Sequence, residues 1–103
     1  MSRGADWMVC FDYELHEGKR VLAFTFHSDP GHGWIAVPIE LAHELQLRPS
    51  SCSYVDEIFY YLEEDNDAAR FVDAYIDRFG VKPEFKEQHT NRASFIRSLA
   101  RAS

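Results

Sequence analysis

Eight consecutive residues carry the densest chemistry of this chain: His27-Ser28-Asp29-Pro30-Gly31-His32-Gly33-Trp34. Two imidazoles and a carboxylate in the order His-x-Asp-x2-His can exchange protons near neutral pH or offer ligands to a borderline divalent ion such as zinc. His89 is a second base that could meet His32, with Asp29 orienting one ring. Ser28, Ser94 and Cys52 are the candidate nucleophiles, and Arg92 or Arg97 the candidate holder of an anion. Asp29, His32, Trp34, His89, Arg92 and Arg97 are thus one candidate site. The spacing matches no established signature, however. There is no His-Glu-x-x-His, no Cys-x-x-Cys and no nucleophile elbow, and Gly31-His32-Gly33 lacks the Gly-Lys-Ser/Thr that completes a phosphate loop. The plainer reading is a shaped turn: proline fixes φ, glycine permits positive φ, and the histidines bond backbone or face water. That reading implies no metal and no cofactor. His16, in a polar turn, and His43, on the outer side of a helix, read as surface residues.

Charge supplies the second feature. The net charge is −6 and unevenly placed. Residues 56–77 hold eight acids, Asp56, Glu57, Glu63, Glu64, Asp65, Asp67, Asp73 and Asp77, against Arg70 alone. Residues 78–103 hold six bases against two acids. An acidic middle repels phosphate and argues against direct nucleic-acid binding. It suits solubility or a basic partner. Tyr60 and Tyr61 stand beside the acids, and an exposed tyrosine there is what a protein-binding edge offers.

These groups need elements to position them. Trp7 to Leu15 reads as a strand, His16 to Lys19 as a turn, and Val21 to Phe26, apolar on both faces, as a central strand. Trp34 to Val37 is a short strand. Pro38 opens a helix with Ile39, Leu41, Ala42 and Leu45 inward, ending before Pro49. Cys52 to Leu62 is extended, and a tight turn at Asp56-Glu57 would split it into a hairpin. The clearest helix starts at Asp65 or Asn66. Its Ala68, Phe71, Val72, Tyr75, Ile76 and Phe79 repeat at helical spacing, its acids Asp67, Asp73 and Asp77 are expected outside, and Gly80 stops it. Val81 to Gln88 is a final edge strand, since it contains Pro83. Phe95, Ile96 and Leu99 suggest one packed turn in an otherwise basic tail.

With 103 residues and 46% hydrophobic content there is room for one core. The expectation is a single α+β domain over 1–89, a mainly antiparallel sheet of five or six strands with two helices packed on one face, and a basic C-terminal tail over 90–103. The expected core is Phe24, Phe26, Trp34, Val37, Leu41, Leu45, Ile58, Leu62, Phe71, Val72, Tyr75, Ile76 and Phe79. No run approaches the roughly 20 apolar residues of a membrane span. Met1 to Asp6 has no apolar export signal, so Cys10 and Cys52 read as free thiols in a cytoplasm.

The chain resembles a group of small proteins carried by bacteriophages and bacterial mobile elements. The likeness rests on Ser28-Asp29-Pro30-Gly31-His32-Gly33-Trp34, Val37-Pro38, Tyr61-Leu62-Glu63-Glu64-Asp65 with Asp67-Ala68, Phe71 and Gly80, and His89 with Arg97. It spans roughly residues 26–99 and implies a bacterial host cell, where many small acidic proteins block defence complexes. Gly33 to Leu47 is also similar to the core of swapped-hairpin antitoxin and transition-state DNA-binding proteins. It departs from them by setting Trp34, Glu40 and Glu44 where they set bases.

The expected function is therefore that of a binding protein. It would inhibit a host nucleic-acid-binding complex by occluding a basic surface, as anti-CRISPR proteins of the DNA-mimic kind do. Asp56, Glu57, Glu63, Glu64, Asp65, Asp67, Asp73 and Asp77 would form the acidic face, with Tyr60 or Tyr61 as anchor. The alternative is a small enzyme or metal-binding protein using Asp29, His32 and His89.

Overall fold

The computed structural model describes residues 13–16 and 19–103. Most of the strand expected from Trp7 lies outside these residues, as does Cys10. Its end is β1 (Tyr13–His16), which pairs antiparallel with the start of β2 (Lys19–Ser28), His16 opposite Lys19. β3 is Gly33–Pro38, and α1 (Ile39–Glu44) follows directly. β4 (Tyr54–Val55) and β5 (Phe59–Glu63) form the expected hairpin. α2 spans Asp67–Phe79, β6 Glu84–His89 and β7 Ala100–Arg101, with a 3₁₀ turn at Phe95–Ser98 before β7.

Six strands make one mixed, mostly antiparallel sheet in the order β6-β2-β3-β5-β4-β7, and β1 extends it at β2. β6 runs parallel to β2, Phe85 beside Phe24 and His89 beside Ser28. A parallel neighbour requires the chain to cross over the sheet. α2 makes that crossing from β5 to β6, past β3 and β2, which sets the helix across one face.

β3 is buried along its whole length because its side chains alternate between two covered faces. Ile35 and Val37 join Phe24, Leu62, Leu41, Ala42, Ala68, Phe71 and Tyr75 beneath the two helices. Trp34 and Ala36 join Tyr61 and Ile96 on the opposite face. The residues expected as a tail thus cover the second face. Ile96 is fully buried there and β7 pairs with β4. Two expected core residues lie outside the clusters: Ile76 is half-buried on α2, and Ile58 is 55% exposed. It sits in the turn before β5, where Asp56 Oδ1 accepts the N–H groups of Ile58 (2.9 Å) and Phe59 (2.7 Å), so the turn's backbone decides its position.

Both helix ends use left-handed residues. Gly80, at φ 75°, closes α2 and donates its N–H to Ile76 O. Gln46, at φ 57°, closes α1: its N–H meets His43 O and the next N–H, from Leu47, meets Ala42 O. A side chain there is strained, so Gln46→Gly should raise stability by up to about 1 kcal/mol in urea unfolding. Phe71 is fully buried, its ring 5.2 Å from Phe24 and edge-on. Phe71→Ala should cost about 3–5 kcal/mol by the same measurement. A loss below about 0.5 kcal/mol would contradict this packing.

Candidate functional site

The loop between β2 and β3 is organised by Asp29, whose carboxylate is fully buried. Oδ1 accepts the N–H groups of Gly31 and His32, both at 2.9 Å. Oδ2 accepts the N–H of Ser94 at 2.9 Å. The Arg97 guanidinium clamps both oxygens, Nε to Oδ2 at 2.6 Å and Nη2 to Oδ1 at 2.9 Å. Five donors fill a carboxylate that has about four lone-pair directions. Asp29 is therefore saturated and has no direction left for a proton, a metal or a substrate. Arg97, foremost, and then the backbone donors hold its pKa far below the usual carboxylate range against the opposing effect of burial. Arg97 also lies over the Trp34 ring, 5.4 Å from its centroid. A Cβ on Gly31 would stand 2.7 Å from Arg97 Nη2, so a side chain there would push on the clamp.

The expected site around Asp29 is thus a structural tie, and its other members diverge. His32 packs on Trp34 and lies 3.7 Å from Glu63 Oε2. His27 stacks edge-on against Tyr61 and Phe95 on that same face, and burial lowers its pKa. Ser28, the next residue, points to the other side of β2 and meets His89 Nδ1 at 2.8 Å. The sheet separates His32 from His89, and Arg97 is committed to Asp29 rather than to an anion. Arg92 is exposed, and its backbone N–H bonds Thr90 Oγ1. Among the described residues, no three His, Cys, Asp or Glu side chains converge to hold a metal ion.

Several acids also turn inward, which corrects the expected acidic face. Asp67 is fully buried at the start of α2. It accepts from Ser50 N (2.7 Å), Ser50 Oγ (2.9 Å), Ser53 Oγ and Arg70 Nη2 (3.2 Å). Ser53 Oγ in turn accepts the Glu63 N–H at 3.0 Å. Asp67 thus fastens the 50–53 loop to both α2 and β5, and no side-chain cap from Asn66 is needed. Glu63 is buried and accepts the Asp65 N–H at 3.0 Å. Tyr61 is buried and donates to Asp56 Oδ2 at 2.7 Å. Burial first, then the Asp56 carboxylate, push its phenol above the ordinary range. Burial raises the pKa of Asp56 itself, but the bonds from Phe59, Tyr61 and Ile58 together outweigh it and leave the pKa lowered. Tyr60 is half-buried on the helix face, against His43. Neither tyrosine is an exposed anchor.

Of the eight acids expected on that face, those that do face outward are Glu57, Glu64, Asp65, Asp73 and Asp77. Ala69, Asp73 and Asp77 recur every four residues and so share one stripe of α2. Ala69, at its head, lines a cavity of about 530 Å³ between α2 and β6; Asp73 and Asp77 are not part of the lining. Phe26 and Ile35 floor it, Ala68, Ala69 and Val72 wall it from the helix, Phe85 walls it from β6, and Glu64 and Glu87 are its carboxylates. Among the described residues, neither carboxylate is ion-paired. Phe85 and Glu87 escaped the sequence reading because only the parallel register of β6 brings them over the sheet. Their Phe-x-Glu alternation was the available signal. Ser50 and Ser53 carried no signal at all.

The fold and site define a small two-faced α+β protein with two internal carboxylate ties and an open apolar cavity. Comparison with protein-family models, curated proteins and solved structures finds no match to this chain. Among the described residues no helix is long and apolar enough to cross a membrane.

The Asp29 tie predicts a pH dependence. The folded pKa is depressed, so the stabilisation is present above the unfolded value of about 3.9 and is lost as pH falls below it. Arg97→Ala should lower the unfolding midpoint, red-shift the tryptophan emission and shrink the fall in stability between roughly pH 5 and pH 3. An unaltered acid profile in this variant would show that other carboxylates govern it.

Proposed function

We propose that this protein is a binding protein whose outward acids engage a basic surface on a partner protein. The supporting observation is the outward stripe formed by Asp73 and Asp77 on α2, with Glu64 and Asp65 exposed at the approach to the helix. Like charges gathered on one flank attract a basic partner from a distance and raise the association rate. Phe85, 43% exposed on β6, replaces the tyrosines as the aromatic anchor. In the phage or mobile-element setting that the resemblance implies, the partner is a nucleic-acid-binding complex of the bacterial host. Occupying its basic surface would compete with nucleic acid.

The reading favours binding over catalysis on one observation. Ser28 Oγ lies 2.8 Å from His89 Nδ1 and 3.4 Å from Glu87 Oε2. Ser28 has a single proton to donate. Both contacts are satisfied when His89 Nδ1–H donates to Ser28 and Ser28 donates to Glu87. In that arrangement His89 is not a base toward Ser28.

The test is a pull-down from bacterial lysate with the tagged full chain, followed by salt elution. Glu63 is buried, so its substitution would confound the result, whereas Asp73 and Asp77 are exposed. A retained partner should be a nucleic-acid-binding protein, and its retention should fall steeply as salt rises above about 0.15 M. Asp73→Lys/Asp77→Lys should weaken it roughly tenfold or more at unchanged stability. Equal capture of the same partner by the double variant would move the interface off α2.

A further inference from the structure

We propose that the cavity between α2 and β6 is a binding site for a small organic ammonium ion with an apolar body. Its volume, about 530 Å³, lies in the range of small-molecule sites, which are mostly apolar with a few placed polar groups. Phe26, Ile35, Ala68, Val72 and Phe85 supply the apolar walls. The polar groups are two carboxylates, Glu64 and Glu87, and among the described residues no base lines the cavity. A carboxylate accepts hydrogen bonds and carries negative charge, so the matching head is a cation with N–H donors. A neutral or anionic ligand of the same shape would leave both charges unpaired beside an apolar wall.

Each carboxylate is positioned by its surroundings. Glu87 Oε2 lies 3.4 Å from the Ser28 hydroxyl, which also meets His89 Nδ1 at 2.8 Å. Glu64 lies over Gly33: a Cβ on that glycine would stand 3.0 Å from Glu64 Oε2 and would collide with Phe26 Cζ. The Glu64 N–H also bonds Gly33 O at 3.0 Å. Gly33 is thus the residue whose missing side chain leaves room for both the apolar floor and the acidic rim. Ser28 is a positioning residue for Glu87. The site stands on the cavity itself; it shares Glu64 and Phe85 with the proposed partner surface, whose other acids, Asp65, Asp73 and Asp77, are not part of the lining.

The experiment titrates the full chain with three probes of one shape: 4-phenylbutylamine, 4-phenylbutanol and 4-phenylbutyrate. Binding is followed by calorimetry and by amide shifts in two-dimensional NMR. The amine should bind at least about tenfold more tightly than the alcohol, the worth of one charge-assisted hydrogen bond, and the carboxylate more weakly than either. Shifts should centre on Ala68, Ala69, Val72 and Phe85. Glu64→Gln/Glu87→Gln should bring the amine down to the alcohol's affinity and leave the alcohol unchanged. Ser28→Ala should reduce the amine's advantage in part, again without moving the alcohol. Ala69→Trp, at an exposed rim position, should fill the cavity and weaken all three probes, which separates loss of charge from loss of space. Equal affinity of the three probes, shifts that map elsewhere, or no saturable binding of the amine would overturn the proposal. None of those results would bear on capture of a protein partner by Asp73 and Asp77.

Discussion

A single buried carboxylate, Asp29, joins parts of the chain that are 68 residues apart. Its oxygens accept two N–H groups from its own loop, one from Ser94 and a two-pronged clamp from Arg97. A buried charge left unpaired is strongly unfavourable, so the loop cannot bury Asp29 until the C-terminal segment has arrived. Conversely, the carboxylate anchors that segment beside the buried Ile96 and the pairing of β7 with β4. The segment's only regular structure is a four-residue 3₁₀ turn and a two-residue strand. The tie therefore helps to hold the C-terminal segment over the second face of the sheet. Trp34 lies beneath Arg97, and Ile96 is buried against the same cluster.

Asp67 repeats the device on the other side of the molecule. It collects Ser50, Ser53 and Arg70, and Ser53 passes the connection on to the backbone of β5. A helix start favours negative charge, and here that charge also gathers a loop. Between them, Asp29, Asp56, Glu63 and Asp67 consume part of the acidity that the composition displays. The −6 net charge is consequently a poor guide to the surface. What reaches solvent is a narrower set, and its members on α2 lie on one flank.

That flank is set by geometry. α2 crosses from β5 to β6 because β6 is parallel to β2, and one 13-residue helix cannot cover a six-stranded sheet. The helix packs over β5, and the β6 side is left as the open cavity. The crossover thus leaves the apolar hollow open beside Ala68, Ala69 and Val72.

The sequence by itself determined the elements whose signals are local. The 3.6-residue repeat from Ala68 to Phe79 with Gly80 behind it, the apolar runs of β2 and β3, and the turn at Asp56-Glu57 all stand where periodicity and turn chemistry put them. Two helices on one face of a mostly antiparallel sheet followed from those signals. Tertiary structure alone decided the rest. Whether Asp67 faces water or serines depends on a loop 14 to 17 residues earlier. Whether Asp29 is a catalytic acid or a tie depends on Arg97 near the C-terminus. Whether Phe85 is core or cavity wall depends on the direction in which β6 pairs. A charge's role is fixed by its partner, and partners distant in sequence leave no periodic mark on the segment that waits for them.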